Sequence, residues 1–272
     1  MGRGGAPQIE CLLQSPVMDE CEPTPRQQPS QNTIEGLSDR NQKKEKKEKK
    51  DKIVQEHSEG APEARPQETG CQPWILEVFS ANINSWSTFK ERWTNEGEPA
   101  EIQSATLMLL QETHLGTKEQ CADATEWLDV RGWKAVFTQA QLTETHKTSG
   151  GVAIAVRHRP DVGVTMPELD VGEQAHRLLG LKIQVTGLPD FLMVCAYFQA
   201  AVGLNKLNKT LLATIAQWQE TQRLPVITGG DFNLKPKTLQ STDYLTRAGM
   251  TLLAPQAATY RTANAANTID YF

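Results

Sequence analysis

The chain has 272 residues, 38% of them hydrophobic, with a formal net charge of −5 and a pI of about 5.6. That length suits one sizeable α/β domain, or a smaller domain with a tail, and the slight acidity gives nucleic-acid binding no electrostatic support. No apolar run is long enough to cross a bilayer and the N-terminus lacks a signal-peptide core, so the expectation is an intracellular protein of nucleus or cytoplasm, not a secreted one.

Up to about Gly70 the sequence is rich in Pro, Gln, Glu, Lys and Ser and nearly free of aromatics. Such a segment buries too little apolar surface to offset chain entropy, so residues 1–70 read as a disordered charged tail and residues 71–272 as the folded domain. The lysine block Lys43-Lys44-Glu45-Lys46-Lys47-Glu48-Lys49-Lys50 is either a nuclear-import or nucleic-acid arm or a solvated linker. Glu45, Glu48 and Asp51 interrupt it and favour the linker. The tail holds 11 Lys+Arg against 13 Asp+Glu and the remainder 17 against 20, so neither part is basic. Cys11, Cys21, Cys71, Cys121 and Cys195 are scattered without metal spacing, the pattern of buried thiols in a reducing compartment.

Strand-like and helix-like segments alternate from Trp74. Trp74 to Ser80 reads as a strand leading to Asn82-Ile83-Asn84-Ser85. A helix follows with Ser85 or Ser87 as cap and Trp86, Phe89 and Trp93 at helical spacing. Ala105 to Leu110 is a buried strand ending in Gln111-Glu112-Thr113-His114. The next helix, from about Thr117, carries Cys121, Ala124, Trp127 and Leu128 on one face. Trp133–Phe137, Ser149–Val156, Leu178–Val185 and Phe191–Tyr197 read as strands, with a Gly187-Leu188-Pro189-Asp190 turn between the last two. Gly203 precedes a helix striped with Leu204, Leu207, Leu211, Leu212, Ile215 and Trp218. A short helix at Asp243–Ala248 and a strand at Thr268–Phe272 close the series. The pattern is α/β with hairpins, hence mixed sheets.

The densest signal is Gly229-Gly230-Asp231-Phe232-Asn233, directly after the apolar run Leu224–Thr228. That run reads as a short buried strand, and the two glycines as the sharp turn at its end. A carboxylate and an amide one residue apart suit chemistry on phosphate, as Mg²⁺ ligand or water activator beside a neutral donor and acceptor. The plain alternative is an Asx-type turn. Asn82 with Asn84, and Glu112, also follow strand candidates, and Asp270 lies between Ile269 and Tyr271. Taken singly, Glu112 reads as a loop acid and Asp270 as a structural one. Strand ends, however, can gather distant side chains onto one rigid rim.

In this order the motifs Asn82-Ile83-Asn84, Leu110-Gln111-Glu112-Thr113-His114, Gly150-Gly151-Val152-Ala153-Ile154, Ala196-Tyr197, Gly230-Asp231-Phe232-Asn233 and Ile269-Asp270-Tyr271 resemble the endonuclease/exonuclease/phosphatase superfamily. The resemblance spans about Trp74 to Phe272 and looks closest to the apurinic-type endonuclease domains of non-LTR retrotransposons. It implies a four-layer α/β sandwich, two mixed sheets face to face with helices outside, and phosphoester cleavage with Mg²⁺ or Mn²⁺ and an activated water. Nucleic acid is the implied substrate. By the same resemblance Glu112 is the principal metal ligand and Asn82 a polar one. Asp231 orients or deprotonates the attacking water, Asn233 and Tyr197 contact phosphate, and Asp270 orients the catalytic histidine.

Relatives place that histidine in a Ser-Asp-His motif beyond the Asp270 strand, whereas this sequence stops at Phe272, so the expectation is a truncated domain lacking its last strand and active poorly or not at all. His57, His114, His146, His158 and His176 each read as ordinary surface or loop residues. Phe198-Gln199-Ala200 stands where many relatives have Pro and then Asn, and Asn84 where many have Asp. Two alternatives share the fold: a phosphatase, deadenylase or lipid phosphodiesterase sibling, and a decayed module that binds without turnover.

Overall fold

The structure, a computed structural model, describes residues 76–144, 147–255, 260–262, 265–267 and 270–272. The tail, His57, His146, Cys11, Cys21, Cys71 and the start of the first expected strand lie outside the described residues.

Two mixed sheets carry the architecture. One runs β1 (Val78–Asn82), β2 (Leu107–Gln111), β6 (Val152–Arg157), β3 (Trp133–Phe137), with β1 and β2 parallel and the other pairs antiparallel. The other runs β13 (Asp270–Tyr271), β10 (Val226–Asp231), β9 (Phe191–Tyr197), β8 (Leu178–Val185), β7 (Val162–Thr165), with β9 and β10 its parallel pair. Small hairpins join β4 (Gln141–Leu142) to β5 (Thr148–Ser149) and β11 (Tyr260–Thr262) to β12 (Ala265–Asn267).

The side-chain pattern explains the layering. Leu107 and Leu109 of β2 face the second sheet, among Val78, Ile154, Leu181, Ile183 and Met193, while Met108 and Leu110 face helices. A strand buried on both faces needs a continuous apolar run, which β2 and β9 both have. Helices α1 (Trp86–Glu96), α2 (Ala100–Gln103) and α3 (Lys118–Asp129) lie on the first sheet's outer side, where Phe89, Trp93, Ile102, Ala124 and Leu128 join its core. On the second sheet's outer side, α4 (Lys206–Gln222), α5 (Pro236–Gln240) and α6 (Tyr244–Ala248) supply Leu211, Ile215, Trp218, Leu239 and Tyr244. The result is the four-layer sandwich, and each fully buried Leu, Ile or Phe contributes about 1.5–3 kcal/mol. Among the described residues no helix is long and apolar enough to cross a membrane.

Local chemistry sets the helix starts. Ser85 caps α1 by accepting from the Thr88 amide at 3.2 Å. Thr117 and Gln120 form a reciprocal capping box on α3. Within α4 the fully buried Asn208 is polar: its Oδ1 accepts from the Gln199 amide, and its Nδ2 donates to the Gln199 and Gly203 carbonyls, pinning the loop after β9.

Two expectations need correction. The Gly229-Gly230 pair does not turn the chain; both residues lie inside β10, which continues through Asp231. A Cβ on Gly229 would stand 2.3 Å from the Phe272 ring, and one on Gly230 only 1.9 Å from the Ala196 carbonyl oxygen. The glycines therefore give room for close packing, the other use of glycine in a strand. The strand expected from Ser149 begins at Val152, because Gly150 and Gly151 take φ values of 76° and 84° and break the extended run. Helix α5 opens on Pro236, a residue suited to the first helical position, in a stretch too short to show an apolar period in the sequence.

Candidate active site

Register carries distant residues to one rim. The parallel pair β1–β2 aligns Asn82 with Gln111, so both strands deliver their next residues at the same level. In the other sheet the parallel pair β9–β10 aligns Tyr197 with Asp231, and antiparallel β13 sets Asp270 opposite Asp231. The two rims meet through one amide: Asn82 Nδ2 donates to Glu112 Oε1 at 2.8 Å and to Asp231 Oδ2 at 3.0 Å. Tyr197 donates its hydroxyl to the same Glu112 Oε1 at 2.6 Å. Asn82, Glu112, Tyr197 and Asp231 thus form one hydrogen-bonded group drawn from four strand ends.

Backbone strain is concentrated there. Asn84, Glu112, His114 and Asn233 have φ of 56°, 55°, 55° and 48°. Asn and His are enriched in the left-handed region, whereas Glu enters it at a cost of about 1–2 kcal/mol. The cost is met by fixed hydrogen bonds: the Thr113 and His114 amides donate to the Gly151 and Gly150 carbonyls, and the Trp86 amide to the Thr113 carbonyl. A Cβ on Gly151 would come within 2.4 Å of Thr113 Oγ1, so the Gly-Gly pair lets β6 approach the Glu112 turn.

Burial and charge shape the group. Asp231 is 2% exposed and Asp270 8%. Burial first, and the facing Asp270 carboxylate second, push the Asp231 carboxyl up to about 7. Burial and the Glu112 carboxylate likewise push the Tyr197 phenol above its ordinary range. Asn233 anchors the end of β10, its amide nitrogen donating to Asp231 Oδ1 at 2.9 Å and its Nδ2 to the Phe198 carbonyl at 2.9 Å. Asn84 is exposed, and its backbone amide donates to Asn82 Oδ1 at 3.0 Å.

Two histidines depart from the ordinary loop role expected of them. His114 reaches back to Glu112, with Nε2 3.4 Å from Oε2, and its Nδ1 lies 3.0 Å from the Thr148 carbonyl. His176 is buried, its carbonyl accepting from the Gly151 amide and its Nε2 accepting from Arg177 Nε at 3.1 Å. Arg177 stacks over the Tyr197 ring at 5.0 Å and donates to the Tyr197 carbonyl at 3.4 Å. In sequence Arg177 is merely an arginine before a strand, and no local signal marks it. Beneath the rim, fully buried Gln111 donates to Ser80 Oγ and Cys195 Sγ, both at 3.3 Å, and burial pushes the Cys195 thiol up to about 12.

A profile of the endonuclease/exonuclease/phosphatase family matches residues 80–272. The chain belongs to this family. No curated protein sequence matches it. Among solved structures, the human Nocturnin catalytic domain with bound sulfate is similar at 14% identity and a TM-score of 0.50, over 71% of this chain and 80% of that one. A D. rerio TDP2 complexed with single-strand DNA product gives 13% identity and a TM-score of 0.44, over 72% and 82%. An endonuclease/exonuclease/phosphatase from Beutenbergia cavernae DSM 12333 gives 17% and 0.48, over 71% and 62%. At these identities the Nocturnin likeness speaks to the fold alone.

The family's enzymes generally use divalent metals, and the donor set suits a hard cation. Glu112, Asp231 and Asp270 bring three carboxylates to the rim, and the Glu112 carboxylate interacts favourably with the Arg177 guanidinium. Oε1 of Glu112 is engaged by Asn82 and Tyr197, and Oε2 lies 3.4 Å from His114 Nε2. Among the described residues no group of three or more His, Cys, Asp or Glu is assembled as a metal cage. One or two carboxylates completed by water and substrate phosphate is the usual arrangement for Mg²⁺.

Proposed function

We propose that the chain is a divalent-metal-dependent phosphodiester hydrolase acting on nucleic acid, an endonuclease of the apurinic type. The observation that carries this reading is the Asn82 amide joining Glu112 of one sheet to Asp231 of the other. It brings a candidate cation ligand and a candidate water-orienting carboxylate onto a single rim. Nucleic acid as substrate, and kinship with the endonuclease domains of non-LTR retrotransposons, are supported by the motif order and by the Leu110-Gln111-Glu112-Thr113-His114 stretch.

In this reading Glu112 and Asn82 hold Mg²⁺ or Mn²⁺, which when bound neutralises charge developing on the phosphoryl oxygens. Asp231 orients the attacking water and takes its proton. Asn233 keeps its backbone bond to Asp231 and offers the second hydrogen of Nδ2 to a phosphate oxygen. Tyr197 does the same by exchanging its hydrogen bond from Glu112 to the substrate. Asp270 stands behind Asp231 and keeps that carboxylate in a negative field.

A second reading, a binding module without turnover, has its own support. Both phosphate donors are engaged within the protein, Tyr197 by Glu112 and Asn233 by the Phe198 carbonyl, and Phe198 stands where many relatives have Pro. Nicking of plain and abasic plasmid DNA in Mg²⁺ separates the two. The expected result is slow nicking, lowered by about 10²-fold or more in Glu112→Ala and Asp231→Asn. Mg²⁺ binding without nicking selects the binding module, and nicking unchanged by Glu112→Ala removes the proposed site.

A further inference from the structure

We propose that His114 is a nitrogen ligand in the same cation site, making that site prefer first-row transition cations to Mg²⁺. The inference rests on the reading of Glu112 as a metal ligand. His114 Nδ1 lies 3.0 Å from the Thr148 carbonyl oxygen, which can only accept, and 3.4 Å from the Thr148 hydroxyl, which can accept or donate, so the shorter contact places the hydrogen on Nδ1. In the neutral ring Nε2 is then a bare acceptor. It faces Glu112 Oε2, another acceptor, at 3.4 Å. Two lone pairs turned toward each other at that distance need a proton or a cation between them.

The spacing suits a cation. Two ligand atoms each about 2.1 Å from one ion stand about 3.0 Å apart at a right angle and about 3.4 Å apart at a tetrahedral angle. Glu112 Oε1 is already occupied by Asn82 and Tyr197, so Oε2 is the oxygen left to share an ion with His114. A ring N–H given to a backbone carbonyl is how metal-binding histidines are oriented and their basicity raised. The ring is also preset: His114 holds φ 55°, and its amide donates to the Gly150 carbonyl at 3.1 Å. Both side chains remain reachable, with 26% and 21% of their surface exposed. Imidazole nitrogen favours transition cations, while Mg²⁺ keeps to oxygen, so the mixed pair predicts discrimination between them.

Pulsed electron paramagnetic resonance of the Mn²⁺-loaded full chain tests this, with the wild type prepared in natural-abundance and ¹⁵N-histidine forms. The expected spectrum shows a directly bound nitrogen that changes with the label and is lost in His114→Asn, a substitution tolerant of positive φ. That variant should bind Mn²⁺ at least about tenfold more weakly, while its affinity for Mg²⁺, read by competition, stays within about twofold. Loss of the nitrogen signal in Glu112→Gln assigns it to this site even if His114→Asn does not fold. Mn²⁺ bound in a Glu112-dependent way without nitrogen coupling overturns the proposal and leaves the hydrolase reading intact. Absence of any Glu112-dependent Mn²⁺ binding overturns both.

Discussion

Asn82 occupies a position where one atom serves two sheets. Its Nδ2 satisfies Glu112 and the nearly inaccessible Asp231 together, so its replacement is felt on both sides of the rim. Asn82→Asp exchanges a shared donor for a further like charge. The expected outcome is a loss of about 1–3 kcal/mol in urea unfolding with chelator present. On the proposed reading, added Mg²⁺ reverses that loss more strongly than in the wild type, and an equal response of both proteins would count against a cation at this rim. Arg177 makes a different case. Arg177→Met keeps much of the packing but leaves His176 Nε2 and the Tyr197 carbonyl without this donor, so a cost of about 1–3 kcal/mol is expected, measured by thermal unfolding. These residues differed in legibility. Asn82, Glu112, Asp231 and Asp270 follow or sit in strands and belong to recognisable short motifs. Arg177 acquires its Tyr197 partner only when β8 and β9 pair, His176 its Gly151 partner only when the segments before β6 and β8 meet, and His114 its Glu112 contact only when the chain turns left-handed at Glu112.

Elements follow the sequence closely where apolar periodicity is unmixed and less closely at glycines. Strands β3, β8 and β9 and the capped starts of α1 and α3 sit where the pattern puts them. Gly229 and Gly230 mislead because a glycine pair has two uses, turning a chain and admitting a neighbour, and only the packed sheets tell which applies. Two substitutions separate the uses. Gly230→Ala drives a methyl to 1.9 Å from the Ala196 carbonyl, backbone that cannot yield, at a φ of 150°. It is expected to cost more than about 3 kcal/mol or to prevent folding. Gly249→Ala meets nothing within 4 Å and carries only the strain of φ 62°, about 1–2 kcal/mol. Circular dichroism melts of both variants make the comparison, and equal losses would contradict the packing account.

At the scale of the whole molecule, the rim exists only while both sheets are stacked, so site and core are thermodynamically linked. Leu109, fully buried between the sheets, reports on that stacking: Leu109→Ala is expected to cost about 2–5 kcal/mol in chemical denaturation. Ligand linkage gives the converse prediction. A cation held by Glu112 at about 100 times its dissociation constant should stabilise the fold by about 2.7 kcal/mol, a clear rise in thermal midpoint that Glu112→Ala abolishes. The sequence by itself determined the α/β class with mixed sheets, because runs such as Leu107–Leu110 and Phe191–Ala196 are apolar at every position and read as buried strands, while the layered sandwich was implied by the resemblance of the motifs. It also determined the polar residues that follow those strands, because motif chemistry is local. The tertiary structure alone decided that Asn82 reaches Asp231 across the sandwich, that Asp270 faces Asp231, and that His114, His176 and Arg177 join the rim. Those contacts come from register and from the meeting of two sheets, and no short-range pattern in the chain encodes the distance between residues 149 positions apart.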